Sequence, residues 1–458
     1  LRLGFEQESW KRSMTSNTGS EASPAANILV VYAATRHPLL ASIRDHLFSF
    51  RRYSRHRCHY LNVARSNLPT YFKENDFDLV VFHTTFLSVR WKRAGFIERC
   101  RQLAGLMDLK AVKIALPQDE FLNADLLCDF VRDFEIDWVF SVAPASEWPK
   151  IYAGLDFDRV KFERVLTGYL DEATVRKIDR LAKGERSRPI DIGYRTKPPR
   201  FWLGRHGTLK SEMAVPFQEK APKRGLQVDI STRKQDTILG DDWYRFLLRC
   251  KYTIGVEGGA TILDRDGMIK TRTNLYLAKH PDASFEEAEA ACFPDAEGSL
   301  SLYALSPRHL EACATRTCQI LVEGEYNGAL RPGDHYIELK RDLSNVDQVL
   351  DLIKQDRLRQ RITETAHKEI VQSGRYSYKS FVEFVVQQSL RDRALASEAR
   401  SDGQPSRFLY LRMRLTDAWC WLELAITSGL KQSLRRAILA VFPEEVFFRL
   451  RRRLRRRR

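Results

Sequence analysis

The sequence predicts an α/β chain in which two parallel-sheet units of similar size meet at a cleft, followed by a helical, Arg-rich extension. Three observations support this. Short apolar runs of four to six residues recur along the chain, separated by segments whose apolar residues fall at helical spacing. This alternation occurs twice, with a break between Val165 and Pro189. After Ala396 the composition turns small and polar, then becomes strongly basic.

Residues 1–26 are polar, rich in Ser and Glu, and contain no apolar stretch of the secretory-signal kind, so they are expected to form a disordered lead. Asn27-Ile-Leu-Val-Val-Tyr32 is the first buried-strand candidate. A helix follows, with Leu39, Leu40, Ile43, Leu47 and Phe50 on one face. Phe77 to Phe82, Ala111 to Leu116 and Trp138 to Val142 are the next strands, with helices around 91–106 and 123–135. Val165 to Leu170 reads as the hinge, which bounds a first domain at 27–170. The second domain, 171–394, opens with a strand at Ile190 to Arg195. Further strands are expected at Leu226 to Ile230, Tyr252 to Val256 and Cys318 to Val322, and helices at 241–250, 345–353 and 355–372. The remainder, 395–458, reads as a linker, an amphipathic segment from Phe408 to Leu430, a further segment from Leu434 to Phe448, and the Arg-rich tail.

The bulk numbers agree with this division. A length of 458 residues suits two or three domains, and 43% hydrophobic residues exclude a compositionally disordered chain. The net charge of +16 is uneven: residues 431–458 hold eleven Lys and Arg against Glu444 and Glu445. The eight cysteines form no C-x-x-C pair and show no metal-ligand spacing. They are expected to be buried thiols in a reducing cytoplasm. No apolar run reaches the ~18 residues of a spanning helix.

The chemistry concentrates after the predicted strand ends. Ser306 is a good N-cap and Pro307 suits the first helical position, which leaves the amides of Arg308 to Leu310 free to face an anion. Arg308 and Glu311 lie three apart on one helix face. A cation, free amides and a carboxylate in one turn can hold a diphosphate and a sugar diol; a surface helix with an intrahelical ion pair is the plainer alternative. After the first strand of the second domain, Gly193-Tyr-Arg195-Thr-Lys197-Pro-Pro-Arg200-Phe-Trp-Leu-Gly204-Arg205-His206 supplies glycines and cations for a diphosphate, with Arg195 and Arg205 the stronger candidates. Glu257-Gly258-Gly259 follows another strand; its glycines bring backbone amides to the cleft, and Glu257 is a candidate for the sugar site. Asp264-Arg-Asp266 spells a metal-binding D-x-D, a tripeptide common by chance. In the first domain His83, Asp119 and Glu120 stand at strand ends, where a His or carboxylate can deprotonate an acceptor hydroxyl. Thr35-Arg36-His37 is in a similar position.

Arg308-His-Leu-Glu311-Ala-Cys-Ala, followed by a strand and Glu323-Gly-Glu-Tyr-Asn-Gly-Ala-Leu-Arg-Pro-Gly-Asp-His-Tyr336, resembles the donor-site segment of group 1 glycosyltransferases. The nearest resemblance is to the spore-maturation-protein-like branch, with its R-x-[FL]-E-A pattern. This resemblance implies the GT-B fold of two facing Rossmann-like domains. It implies a nucleotide-sugar donor on the second domain, with Glu311 on the ribose hydroxyls and Arg195, Arg205, Arg308, Gly258 and Gly259 around the diphosphate and sugar. A glycan or lipid-linked acceptor is expected on the first domain, beside Asp119, Glu120, His83 and Glu257 as the catalytic candidates. It also leans towards retention of configuration without a metal or other cofactor. Many relatives carry a second Glu eight positions before the ribose carboxylate; this chain has Tyr303 there. The tail suits anionic lipid headgroups at ~1 kcal/mol per charge, with Trp419, Trp421, Phe442, Phe447 and Phe448 as interfacial anchors. That favours a cytoplasmic enzyme at the inner face of a membrane in cell-envelope polysaccharide synthesis, with no nucleic acid partner. Two other readings remain: a nucleotide-sugar-binding protein without transfer, and an interaction protein that uses its tail on an anionic surface.

Overall fold

The computed structural model describes residues 25–65, 68, 69, 76–185, 187–394 and 407–441. The predicted lead up to residue 24, the linker at 395–406, and the tail from 442 onward, with Phe442, Phe447 and Phe448, lie outside the described residues.

The first domain is a parallel sheet of β1 (Asn27–Tyr32), β2 (Arg57–Asn62), β3 (Leu79–Phe82), β4 (Val112–Ala115), β5 (Trp138–Ser141) and β6 (Lys161–Arg164), in the order β2-β1-β3-β4-β5-β6. Helices α1 (Ala41–Tyr53) and α2 (Ala124–Asp133) are among those that cover its faces. All six residues of β1 are buried, as expected of a strand covered on both sides. The second domain begins with α3 (Glu172–Ala182). Its sheet holds β7 (Ile190–Arg195), β8 (Val228–Ser231), β9 (Cys250–Gly255), β12 (Cys318–Val322) and β13 (Tyr336–Leu339), also parallel, in the order β13-β12-β9-β7-β8. A separate antiparallel pair, β10 (Gly258–Ala260) and β11 (Leu302–Ala304), lies between the domains. The helices that bear on the site are α4 (Arg205–Glu212), α5 (Asp241–Leu248), α6 (Met268–Lys279), α7 (Phe285–Cys292) and α8 (Pro307–Ala314).

Each sheet has one switch point, between β1 and β3 in the first and between β7 and β9 in the second. Ligand crevices form at such points, outside the strands' C-terminal ends. These are two Rossmann-like domains, as predicted. The apolar strands were legible within a residue or two; β2 and β6, with sequences RCHYLN and KFER, were not. Both are sheet edges, where charged residues replace the continuous apolar run.

Two further helices return to the first domain. α9 (Tyr378–Ala394) follows a backbone exchange in which Leu170 N–H donates to Tyr376 and Tyr378 N–H donates to Leu170. The sequence boundary at 394 puts α9 in the second domain, but it packs on α1, with Phe381 stacked on Tyr169 at 4.6 Å and edge-on to Phe50 at 6.1 Å. α10 (Arg407–Val441) runs without a break from the first of the two segments expected to be separate into the start of the second, and covers the edge strand β2. Asp417 anchors it, accepting from Tyr32 Oη at 3.0 Å and Arg51 Nη2 at 3.2 Å.

The segment 261–301 was not read from the sequence. It leaves β10, builds α6 and α7, and grips the first domain before returning in β11. Asp264 N–H donates to Phe121 O and Asn123 N–H donates to Asp264 O, each at 2.8 Å. Arg265 Nη1 reaches Lys150 O at 2.6 Å, and Ser301 N–H reaches the Glu147 carboxylate at 3.1 Å. The receiving loop, 117–123, is held by Arg90, which has no solvent exposure. Its guanidinium donates to the carbonyls of Leu87, Gln118, Asp119 and Leu122. Replacing Arg90 with Met keeps the apolar stem but leaves four carbonyls without their donor. Arg90→Met should lower stability by about 3 kcal/mol or more, read from the urea midpoint; an unchanged midpoint would show that the loop holds without the guanidinium.

Candidate active site

The capped helix α8 forms one wall of the cleft. Ser306 Oγ accepts from Arg308 N–H at 3.4 Å, with Pro307 in the first turn. Arg308 and Glu311 form no ion pair with each other. They bracket Trp243 of α5: the Arg308 guanidinium lies over the indole ring at 4.9 Å, and Glu311 Oε2 accepts from the indole N–H at 2.7 Å. Arg308 also donates to the Arg195 carbonyl at the end of β7. Burial raises the Glu311 carboxyl to about 7; the indole N–H and Arg308 oppose the shift, and Asp45 on α1 of the first domain adds to it. Glu311 therefore faces across the domain boundary. Trp243, which positions both groups, gave no local signal beyond an apolar residue on a helix.

The cations of the cleft differ from those expected. Arg195 is tied to β8: it donates to Asp229 O at 2.7 Å, pairs with the Asp229 carboxylate at 2.6 Å, and lies over Phe246 at 4.6 Å. Arg205 points out of the cleft to Glu286 and Glu289 on α7, at 3.0 and 2.9 Å. Each guanidinium thus has a carboxylate partner within the fold, where the sequence led us to expect open cations. Lys210, five residues on from Arg205 along α4, takes the inward place. It is within electrostatic reach of Arg308, Asp119 and Arg200, and burial lowers its ammonium group, with the neighbouring arginines adding to the effect. Its ammonium forms no ion pair among the described residues. Arg200 stands at the cleft entrance over Trp91 and Trp202, at 5.8 and 5.7 Å. Helical geometry carries the lost signal: five residues turn a side chain through ~140°, so Arg205 and Lys210 cannot share a face.

Glu257 is buried and its Oε1 accepts from Tyr326 N–H at 2.7 Å, while its carbonyl takes His206 Nε2 at 3.0 Å. Burial raises its pKa. It organises the turn at 323–328 rather than standing as a bare carboxylate, a correction to its expected role. Gly259 has φ +136° and a Cβ there would lie 1.8 Å from Leu302 O, so only glycine lets β10 pair with β11. That pairing sets Gly259 opposite Tyr303 and Gly258 opposite Ala304. Tyr303 in turn packs edge-on to His206 at 4.7 Å, beneath Arg341 at 5.5 Å.

In the first domain, two of the three candidates are structural. His83 is fully buried, with Nε2 2.8 Å from His46 Nδ1 and Nδ1 capping the turn at Thr85. Glu120 is fully buried and takes hydrogen bonds from Ser141 Oγ, Val142 N–H and Tyr152 Oη. Neither reaches the cleft. Asp119 is half-buried, with a positive φ of 52° and its carbonyl bonded to Arg90; burial raises its carboxyl, and Arg90, Arg200 and Lys210 oppose the shift. His37 lies against Trp421 of α10, at 6.0 Å, not in the cleft. Asp264 caps α6 through Ile269 and Lys270 N–H, and Asp266 accepts from Met268 N–H, so both carboxylates of the D-x-D serve a helix start. Among the described residues no cluster of three or more His, Cys, Asp or Glu is arranged to hold a metal.

No protein-family model and no curated protein matches this sequence. Solved structures do align with it over most of its length. Anabaena Alr3699/HepE in complex with UDP-glucose superposes with a TM-score of 0.45 at 10% identity, over 80% of this chain and 100% of that one. An α-glucosyltransferase in complex with UDP and a 13-mer DNA containing a HMU base gives 0.46 at 10% identity, with the same coverage. Sucrose-phosphate synthase from Thermosynechococcus elongatus gives 0.42 at 10% identity, over 81% and 100%. The strand orders of this chain are those of two Rossmann-like domains, each with one switch point.

The raised Glu311 has a consequence for stability. The ordinary carboxyl value is ~4.3, so between there and about 7 the folded chain holds a proton that the unfolded chain releases. Its contribution is fully present below ~pH 4 and lost as pH rises through about 7. Gln stays neutral, so Glu311→Gln should raise the melting temperature relative to wild type at pH 8 and change it little at pH 5. An equal change at both pH values would refute the ionisation.

Proposed function

We propose that this chain is a GT-B glycosyltransferase of the group 1, spore-maturation-protein-like kind, which moves a sugar from a nucleotide-sugar donor to a glycan or lipid-linked acceptor. One arrangement carries the reading: Trp243 holds a carboxylate and a cation at a capped helix start, while Lys210 and Arg200 face Asp119 across the cleft. In this reading Glu311 accepts the ribose hydroxyls. Arg308 and Lys210 bind the diphosphate and stabilise it as it departs, which replaces a metal. The backbone at Gly258 and Gly259 lies beside the transferred sugar, and Asp119 meets the acceptor hydroxyl. Retention of configuration, a role in cell-envelope polysaccharide synthesis, and a place at the inner face of a membrane belong to the same proposal. Nucleotide sugars serve here as substrates, with no further cofactor.

A second reading has one observation in its favour. Tyr303 occupies the position of the second carboxylate, and the other catalytic candidates are bound up in the fold, which suits a nucleotide-sugar binder that does not transfer.

Screening nucleotide sugars by thermal shift tests both readings, since a ligand at roughly 100 Kd adds ~2.7 kcal/mol of stability. Product formation separates them. Lys210→Ala should weaken nucleoside diphosphate binding by about tenfold or more in calorimetry, the usual scale for a charge-assisted contact. Arg205→Ala should stay within about twofold of wild type, because its partners are on α7. The opposite ranking would restore Arg205 and remove Lys210. Transfer should persist in EDTA; its loss would end the metal-free mechanism.

A further inference from the structure

α10 has two apolar faces. Met413, Asp417, Cys420 and Leu424 are buried against the first domain, and Trp421 stacks on Tyr32 at 6.0 Å. On the other side Leu411, Leu415, Trp419, Leu422 and Ile426 are 54, 61, 68, 52 and 55% exposed. At ~100° per residue these five fall within about 80° of arc, opposite the buried set, and extend for about 22 Å. Such a contiguous stripe of large side chains differs from the single exposed apolar residues of an ordinary surface. The sequence treated Trp419 and Trp421 alike; the structure turns one inward and the other outward.

We propose that this outer face of α10 binds an anionic lipid bilayer, with the helix lying in the plane of the interface. Charge selects the occupant. Arg412 and Arg414 are exposed beside the stripe, and the chain from 431 to 458 carries a net charge of +9. Pairing of two copies along this face would place Arg412 and Arg414 of each copy in one seam, a like-charge contact that opposes a dimer. A nucleic acid would satisfy the arginines and leave the leucines and Trp419 in water. An anionic bilayer satisfies both, with apolar side chains below the headgroups and cations among them. No helix among the described residues is long and apolar enough to cross a membrane, so α10 lies on the surface. Asp417 fixes α10 to Tyr32 and Arg51, so binding also sets the orientation of the first domain. This inference rests on the membrane placement in the proposed function and is independent of the donor site.

The test is co-sedimentation of the full chain with phosphatidylcholine vesicles, with and without 30% phosphatidylglycerol, alongside sedimentation velocity. The chain should partition onto the anionic vesicles and remain free with the neutral ones. Leu415→Ser, Trp419→Ser and Ile426→Ser combined should lower partitioning by at least about tenfold, since three large side chains no longer enter the interface. These residues are exposed, and an unchanged melting temperature confirms the fold of the variant. Deleting residues 442–458 should weaken binding and its salt dependence without abolishing it. Full binding by the triple variant, with loss on tail deletion, overturns the proposal. So does a wild-type dimer that the triple variant converts to monomer while vesicle binding stays unchanged.

Discussion

The buried guanidinium of Arg90 is the interaction on which the two-domain arrangement turns. It has no solvent exposure and feeds carbonyls of the loop that follows β4. A loop with inward-facing carbonyls needs donors, and a desolvated cation is a strong one. The loop so fixed does two things. Asp119 takes a left-handed conformation that keeps its carboxylate within electrostatic reach of Arg200 and Lys210, and the flanking residues Phe121 and Asn123 present backbone to Asp264 of the second domain. Site and interface thus share one organising group.

Polar burial elsewhere sorts the candidate chemistry. Glu120, His83 and Glu257 sit at strand ends, as catalytic groups often do, yet each has its hydrogen bonds met inside the fold. Glu311, Lys210 and Arg308 differ in that they come from two elements, α4 and α8, and lie within electrostatic reach of one another through Arg308. Convergence rather than residue type separates the two sets. It also explains the cation exchange: Arg205 has α7 carboxylates within reach, and Lys210 has none.

The apolar strands and the capped helix at Ser306 were legible because each is written locally, as a run, a period or a cap. β2 and β6 were hidden by their charged edges, and the excursion through α6 and α7 by its lack of a clear apolar period. The role of Trp243 depends on α5 meeting α8, residues 68 positions apart in the sequence at Glu311. No local pattern records that meeting. The chain named Glu311 and Arg308 correctly as neighbours on one face but could not show what stands between them.

The excursion at 261–301 also bears on how the molecule can move. The domains are joined at Leu170, again where α9 returns, and a third time where Asp264 adds a backbone pair to the first domain. Swinging the domains apart as two plates on one hinge would break both Asp264 hydrogen bonds and the Arg265 contact, each worth roughly 1 kcal/mol. Opening at a single hinge therefore carries the cost of a second seam, which the excursion adds to the covalent link at Leu170.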